Sequence, residues 1–261
     1  MSLISAHRCG AQADRTLENT REALELAVRL EVEYVEFDVQ RCIDGTFVLY
    51  HDDHVEIDGT GRRLDTLTFE ALSGATSQLV RYDEALRILA DGGKRAHIDL
   101  KFVSPDGVYA DPAATYEVEA TALALDTMGA GAFIITSLED RTVFAIRRWA
   151  KDAYPDLLVG LSLGRDMTGR RRSELWRTRY NELFPRTRIK ACDANLVVAN
   201  KTLARLTLAG FAKRERLPLL VWTVDEAPEL GRWIDDPRTW MVTTNFPGLA
   251  AQLRERRRSP R

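Results

Sequence analysis

At 261 residues the chain is about the size of one (β/α)8 barrel and leaves little room for two domains. Its 45% hydrophobic and 29% charged residues exclude a disordered, collagenous or coiled-coil chain. Thirty-seven Lys and Arg against 39 Asp and Glu leave a net charge of −2, which removes the electrostatic case for nucleic acid as the main partner. No stretch approaches the roughly 18 apolar residues of a membrane span, and charge arrives at His7 and Arg8 before a signal-peptide core could form. The expectation is a cytoplasmic protein with no membrane span. Cys9, Cys42 and Cys192 are odd in number and lack CxxC spacing, which fits reduced thiols better than disulfides or zinc ligands.

Along the chain, apolar runs alternate with segments of helical period. Candidate strands are Leu3–Ala6, Tyr34–Val39, Phe47–Tyr50, Ala96–Leu100, Phe133–Thr136, Leu157–Leu161, Ile189–Ala191, Leu219–Val224 and Met241–Thr243. Helical patterns lie near Thr20–Leu30, Asp83–Ala90, Thr115–Asp126, Glu139–Ala150, Ser173–Asn181, Lys201–Lys213, Glu226–Ile234 and Gly248–Arg257, with Asn19 and Thr20 as cap candidates for the first. About eight strand–helix pairs predict an α/β fold, a (β/α)8 TIM barrel spanning residues 1–261 as a single domain. An open doubly wound sheet is the rival, weakened because no GxGxxG follows a strand. The glycine-containing, aperiodic stretch 44–81 reads as a small insertion after the second or third strand, over one end of the barrel.

The near-zero net charge hides an asymmetry. Residues 165–190 hold nine Lys/Arg against three Asp/Glu, and the tail 254–261 holds five against one, leaving −12 on the remainder. The tail reads as a frayed, solvated terminus. The stretch 165–190 reads either as a solvated surface or as a basic loop beside a site, able to hold an anionic substrate.

Glu36 and Asp38 flank Phe37, and strand alternation points both carboxylates to one side. At about 4 Å and an effective dielectric near 20 two like charges repel by about 4 kcal/mol, so one stays protonated unless a cation lies between them. Asp99 closes another strand, and barrel strand ends converge on one face. Three carboxylates without His or Cys describe a hard ion, Mg²⁺ or Ca²⁺, better than zinc; the bland alternative is a rim of salt-bridge partners. His7 and His51 end neighbouring strands. With an unperturbed pKa of about 6.5, one can be neutral and the other cationic, as general base and general acid. His54 and His97 read as ordinary hydrogen-bonded histidines. Arg8 and Lys101 are candidates for an anionic group, or for pairing with the acids themselves. Trp222 is a candidate pocket wall or packing residue, and Asn245 and Asp52 are weaker polar candidates.

His7-Arg8, Glu18-Asn19-Thr20, Glu36-Phe37-Asp38-Val39, Asp44-Gly45, His51-Asp52, Asp99-Leu100-Lys101 and Trp222-Thr223-Val224 together resemble the glycerophosphodiester phosphodiesterase family, in order and in spacing, over nearly the whole chain. The resemblance implies an eight-stranded barrel, a divalent metal on Glu36, Asp38 and Asp99, and acid–base catalysis by His7 and His51. It also implies a small-molecule phosphodiester substrate, hydrolysed to an alcohol and glycerol 3-phosphate through a cyclic phosphate. Three positions depart from the family's pattern. Cys9 stands where Gly usually follows His-Arg, with Gly10 next. Asp99 replaces a common Glu, and Asn245 stands where Asp is frequent. The later motifs are also similar to phospholipase D-like lyases, which leave a cyclic phosphate; the first motif and the absence of paired cysteines argue against that branch. A noncatalytic barrel that binds phosphorylated ligands is the third reading.

Overall fold

In the computed structural model, which describes residues 1–12, 14–165 and 172–258, period-two alternation sorts each strand into two faces. The strands are β1 (Leu3–Ala6), β2 (Tyr34–Arg41), β3 (Phe47–Leu49), β4 (His54–Ile57), β5 (Thr60–Arg63), β6 (Arg95–Leu100), β7 (Phe133–Ser137), β8 (Val159–Leu163), β9 (Leu196–Asn200), β10 (Leu219–Trp222) and β11 (Met241–Thr244). Between them run α1 (Arg21–Val28), α2 (Phe69–Ala75), α3 (Tyr82–Asp91), α4 (Tyr116–Met128), α5 (Asp140–Ala150), α6 (Arg172–Leu183) and α7 (Arg186–Ala191). Then come α8 (Lys201–Leu203), a π-helical turn Ala204–Leu208, α9 (Ala209–Glu215), α10 (Ala227–Asp235) and α11 (Pro247–Arg258). Parallel pairing runs β1-β2-β6-β7-β8-β9-β10-β11 and returns to β1, so eight strands close a barrel. Register sets Asp38 opposite Asp99 and Ile4 opposite Val242.

On the outward faces Val35, Phe37, Ile98, Ile135, Leu161 and Val221 are buried against the helices. Fully burying a side chain of this size contributes about 1.5–3 kcal/mol. The inward faces are apolar low in the barrel, where Tyr34, Ile134, Leu196, Val198, Leu220 and Met241 form a second cluster. One or two pleats higher the same faces present Glu36, Asp38, His97, Asp99, Thr136 and Thr243. Polar groups are thus confined to the carboxyl ends of the strands, the face on which barrel active sites lie.

The aperiodic stretch after β2 is more ordered than its sequence pattern implies. Strand β3 pairs antiparallel with β2 outside the barrel, and β4 and β5 form a separate hairpin. Every residue of β5 is exposed, which is why no alternation marks it. Cys42, Val48, Val55, Leu64, Leu67 and Leu72 give this region its own small apolar cluster.

One expected strand is displaced. Ile189–Ala191 ends helix α7, and its single buried residue, Ile189, is the helix's anchor. The barrel strand is β9, whose Leu196-Val-Val-Ala run is buried on both faces between β8 and β10. Asp193, in the left-handed region at φ 56, makes the turn between them. The basic stretch is likewise not one loop: residues 166–171 lie outside the described residues, and the remainder builds α6 and α7. The tail continues α11 through Arg258, with Arg254 buried on Glu33 at 2.7 Å; residues 259–261 lie outside the described residues. All three cysteines are free and buried.

Candidate active site

Strand ends from all around the barrel enclose a cavity of about 810 Å³. His7, Arg8, Glu36, Asp38, His51, Asp99, Lys101 and Trp222 all line it. Among the polar residues singled out from sequence, Asn245, Asp52 and His54 are outside the lining; Asn245 reaches the cavity through His7, and Asp52 through His51. His54 lies on β4, exposed and apart.

Glu36, Asp38 and Asp99 each offer an oxygen within 4.8 Å of the others. Glu36 and Asp38 are buried, as alternation on β2 requires, and their immediate partners are few. Glu36 Oε2 accepts the Arg8 backbone N–H at 2.6 Å. Asp38 accepts from Asn19 Nδ2 at 2.9 Å, while its own N–H donates to Asn19 Oδ1 at 3.1 Å. Asp99 accepts from Thr136 Oγ1 at 2.6 Å. Lys101 Nζ lies 3.0 Å from Asp38 and also bonds Asp99. Arg8 Nε lies 3.3 Å from Asp38, and its Nη1 bonds Glu18 at 2.5 Å. Arg8 and Lys101 are therefore engaged by the acids.

Two cations face three carboxylates. Burial, reinforced by Asp38 and Asp99, pushes the Glu36 carboxyl well above its ordinary range. Burial also opposes ionisation of Asp38, but Lys101, His51 and Arg8 outweigh it and hold that carboxyl low. Lys101 stays protonated against its own burial because Asp38 and Asp99 face it. The cluster keeps net negative charge, and its all-oxygen donor set suits a divalent cation. The Glu36, Asp38 and Asp99 cluster could hold such an ion.

The turn after β1 sets the two hands of the site. Arg8 and Cys9 have φ of 44° and 64°, and Gly10 has 72°. The left-handed bend therefore begins at Arg8 and runs through Cys9, whose side chain is buried, at a cost of order 1–3 kcal/mol for each strained residue. Gly10 is required: a Cβ there would stand 3.0 Å from the Pro247 ring. The bend aims the Arg8 N–H at Glu36 and turns His7 toward Asn245.

Asn245 has its orientation imposed from behind. Its backbone N–H and its Nδ2 donate to the two oxygens of Asp225, each at 2.9 Å. That leaves Oδ1 to face His7 Nδ1 at 2.8 Å, which assigns the hydrogen to Nδ1. His7 Nε2, 3.9 Å from Glu36 Oε2, is then the free nitrogen. Burial and the neighbouring Arg8 lower the His7 pKa, favouring the neutral ring. His51, by contrast, is open to solvent and its Nδ1 lies 2.6 Å from Asp52.

Residues that sequence reasoning missed fall into two groups. Thr136 and Asn19 hold the acids in place; Asn19, read from sequence as a cap candidate and part of the Glu18-Asn19-Thr20 motif, stands in the left-handed region at φ 60, and Thr20 beside it caps α1. His97 keeps a structural role: Ser5 and Thr136 each bond one ring nitrogen at 3.1 Å, and burial lowers its pKa to about 4. The second group, Arg165 and Arg179 with Glu139, lines the wall by β7 and β8, and Arg15, between β1 and α1, also reaches the cavity. Buried Glu182 on α6 accepts the N–H groups of Gly164 and Arg165 at 2.9 and 2.8 Å and bonds Arg179 at 2.5 Å. Gly164 is obligatory, since a Cβ there would lie 2.4 Å from Asn200. For Arg165 and Arg179 the excess positive charge in 165–190 was the only signal.

The sequence profile of the glycerophosphoryl diester phosphodiesterase family matches residues 7–249. The chain belongs to this family. It is thereby placed among the phosphoric diester hydrolases. Mouse lysophospholipase D GDPD3 is 34% identical over 108 residues, a match covering 41% of this chain and only 30% of that protein. Among solved structures, a glycerophosphodiester phosphodiesterase from Parabacteroides distasonis superposes with a TM-score of 0.73 at 18% identity, covering 99% of this chain and 98% of that one. An Oleispira antarctica phosphodiesterase in complex with the product sn-glycerol-3-phosphate superposes with a TM-score of 0.70 at 15% identity, covering 98% and 97%. At such identity the structures speak for the barrel rather than for the chemistry within it. No helix among the described residues is long and apolar enough to cross a membrane.

Proposed function

We propose that this family member hydrolyses glycerophosphodiesters to an alcohol and glycerol 3-phosphate, with Glu36, Asp38 and Asp99 as ligands of Mg²⁺ or Ca²⁺ and His7 and His51 as the proton-transfer pair. The observation that carries the reading is His7: its Nδ1 is held by Asn245 and its Nε2 faces the acidic cluster, and burial lowers its pKa, which favours the neutral ring. The bound ion would withdraw charge from the nonbridging phosphate oxygens.

The neutral Nε2 of His7 accepts the proton of the hydroxyl adjacent to the phosphate on glycerol. The new P–O bond expels the alcohol as its own P–O bond breaks, and His51, paired with Asp52, supplies the proton. The five-membered cyclic phosphate is then opened by water, with the two histidines exchanging roles. Arg8 and Lys101, engaged by the acids, line the same cavity and would add positive charge beside the phosphate. Trp222 Nε1 and Thr243 Oγ1 are buried at the cavity without a protein partner, and such orphaned groups suit the polar atoms of a substrate. A lysophospholipid, the substrate class in the mouse relative's name, keeps the same phosphodiester and free hydroxyl.

Phosphorus NMR of glycerophosphocholine incubated with protein and Mg²⁺, Ca²⁺ or Mn²⁺ tests the reading. Hydrolysis gives a monoester signal, whereas a persistent cyclic phosphate identifies a lyase. A diester unchanged under all three ions removes the enzymatic reading in favour of a ligand-binding barrel.

A further inference from the structure

Helix α6 and the residue after it carry an aromatic stripe that the proposed reaction does not use. Trp176 and Tyr180 on α6, and Phe184 one residue past its end with its N–H still bonded to the Tyr180 carbonyl at 3.0 Å, recur every four residues and so share one face. They are 72%, 64% and 60% exposed, and the rings of Tyr180 and Phe184 lie 5.1 Å apart. The helix's other side is committed: Leu183 packs on the core, and Glu182 is buried under β8. Leu206, 63% exposed, stands on the π-helical turn that packs beside α6. An exposed row of three large aromatics is unusual for a surface that meets only water.

The charge around the stripe narrows what can cover it. Residues 165–190 carry an excess of six positive charges in sequence. In the structure Arg165, Arg179, Arg186 and Arg188 pair with Glu139, Glu182, Glu215 and Asp140, and Arg177 and Lys190 stand exposed outside these pairs. An apolar row of Trp, Tyr and Phe in a segment with these exposed cations matches the headgroup layer of an anionic bilayer, where amphipathic rings and cationic side chains both find partners. The same helix supplies Arg179 to the cavity wall, so whatever holds α6 sits at the rim of the site.

We propose that the Trp176–Tyr180–Phe184 face of α6, with its flanking basic residues, docks the protein on anionic lipid bilayers, the helix lying in the interface plane. Docking involves no turnover, so it stands or falls separately from the phosphodiesterase reading.

The test is co-sedimentation with vesicles of phosphatidylcholine, alone or mixed with phosphatidylglycerol. Wild type should pellet with the mixed vesicles, less so as salt rises, and hardly at all with phosphatidylcholine alone. The triple variant W176S/Y180S/F184S should bind at least about tenfold more weakly, with an unchanged melting temperature and unchanged turnover of soluble glycerophosphocholine. R177E/K190E, which keeps the aromatics, should lose the preference for phosphatidylglycerol. Three results would overturn the proposal: wild type that stays in the supernatant, a triple variant that pellets like wild type, or a wild-type dimer in sedimentation velocity that the triple variant lacks, which would assign the face to a second copy of the chain.

Discussion

The two walls of the cavity are built on different principles. On the β1–β2–β6 side, acids, cations and His7 are held by near neighbours along short strand ends: Glu36 by the Arg8 backbone, Asp38 by Asn19, Asp99 by Thr136. On the β8–α6 side, one buried carboxylate, Glu182, gathers Gly164, Arg165 and Arg179 into a wall, and the helix that bears it, with Phe184 just past its end, turns three aromatics outward. The first wall is organised for a fixed charge arrangement. The second is hung on a single anchor, so it can change without disturbing the chemistry opposite.

That contrast can be broken from either side. The largest effect belongs to the histidines: His7→Ala and His51→Ala should each lower kcat on glycerophosphocholine by about 10²- to 10⁴-fold while leaving thermal melting and divalent-ion binding in place. Retention of most activity by either would remove that residue from proton transfer. Next, Asn245→Ala should cost about 10²-fold in kcat with little change in KM, because the ring of His7 loses the partner that fixes its tautomer; steady-state kinetics showing a pure KM effect would make Asn245 a substrate contact instead. Glu36→Gln and Asp99→Asn should each weaken Mg²⁺ or Ca²⁺ affinity by more than about tenfold in titration calorimetry, and unchanged affinity would exclude the residue as a ligand. The smallest effect is on the other wall. Glu182→Gln should destabilise the fold by about 1–3 kcal/mol and speed amide exchange in α6, with ion affinity unaltered. A matching loss of ion affinity would show that the walls are coupled after all.

Legibility follows the same division. Glu36 and Asp38 could be placed on one face because strand alternation is rigid, and Asp99 falls level with Asp38 because adjacent barrel strands run in parallel register. His7 was legible as a strand-end residue, but the Asp225–Asn245 support behind it joins β10 and β11 loops and leaves no mark in local sequence. The Glu182 anchor was harder still. A glutamate among arginines on a polar helix looks like a solvated i,i+3 partner, and only the approach of the β8 end buries it. The misplaced strand has a similar origin: Ile189 is apolar because α7 must anchor to the core, and a three-residue window cannot separate that from a buried strand.

The central claim is that an ion-dependent pair of imidazoles acts on a glycerol-linked diester at this cluster. It is tested most directly by following glycerophosphocholine by phosphorus NMR, with and without a divalent ion, for wild type and His7→Ala. The account predicts conversion to glycerol 3-phosphate by wild type with the ion, arrest on chelation, and conversion slowed by about 10²- to 10⁴-fold in the variant. Equal conversion after chelation, or by His7→Ala, would contradict it.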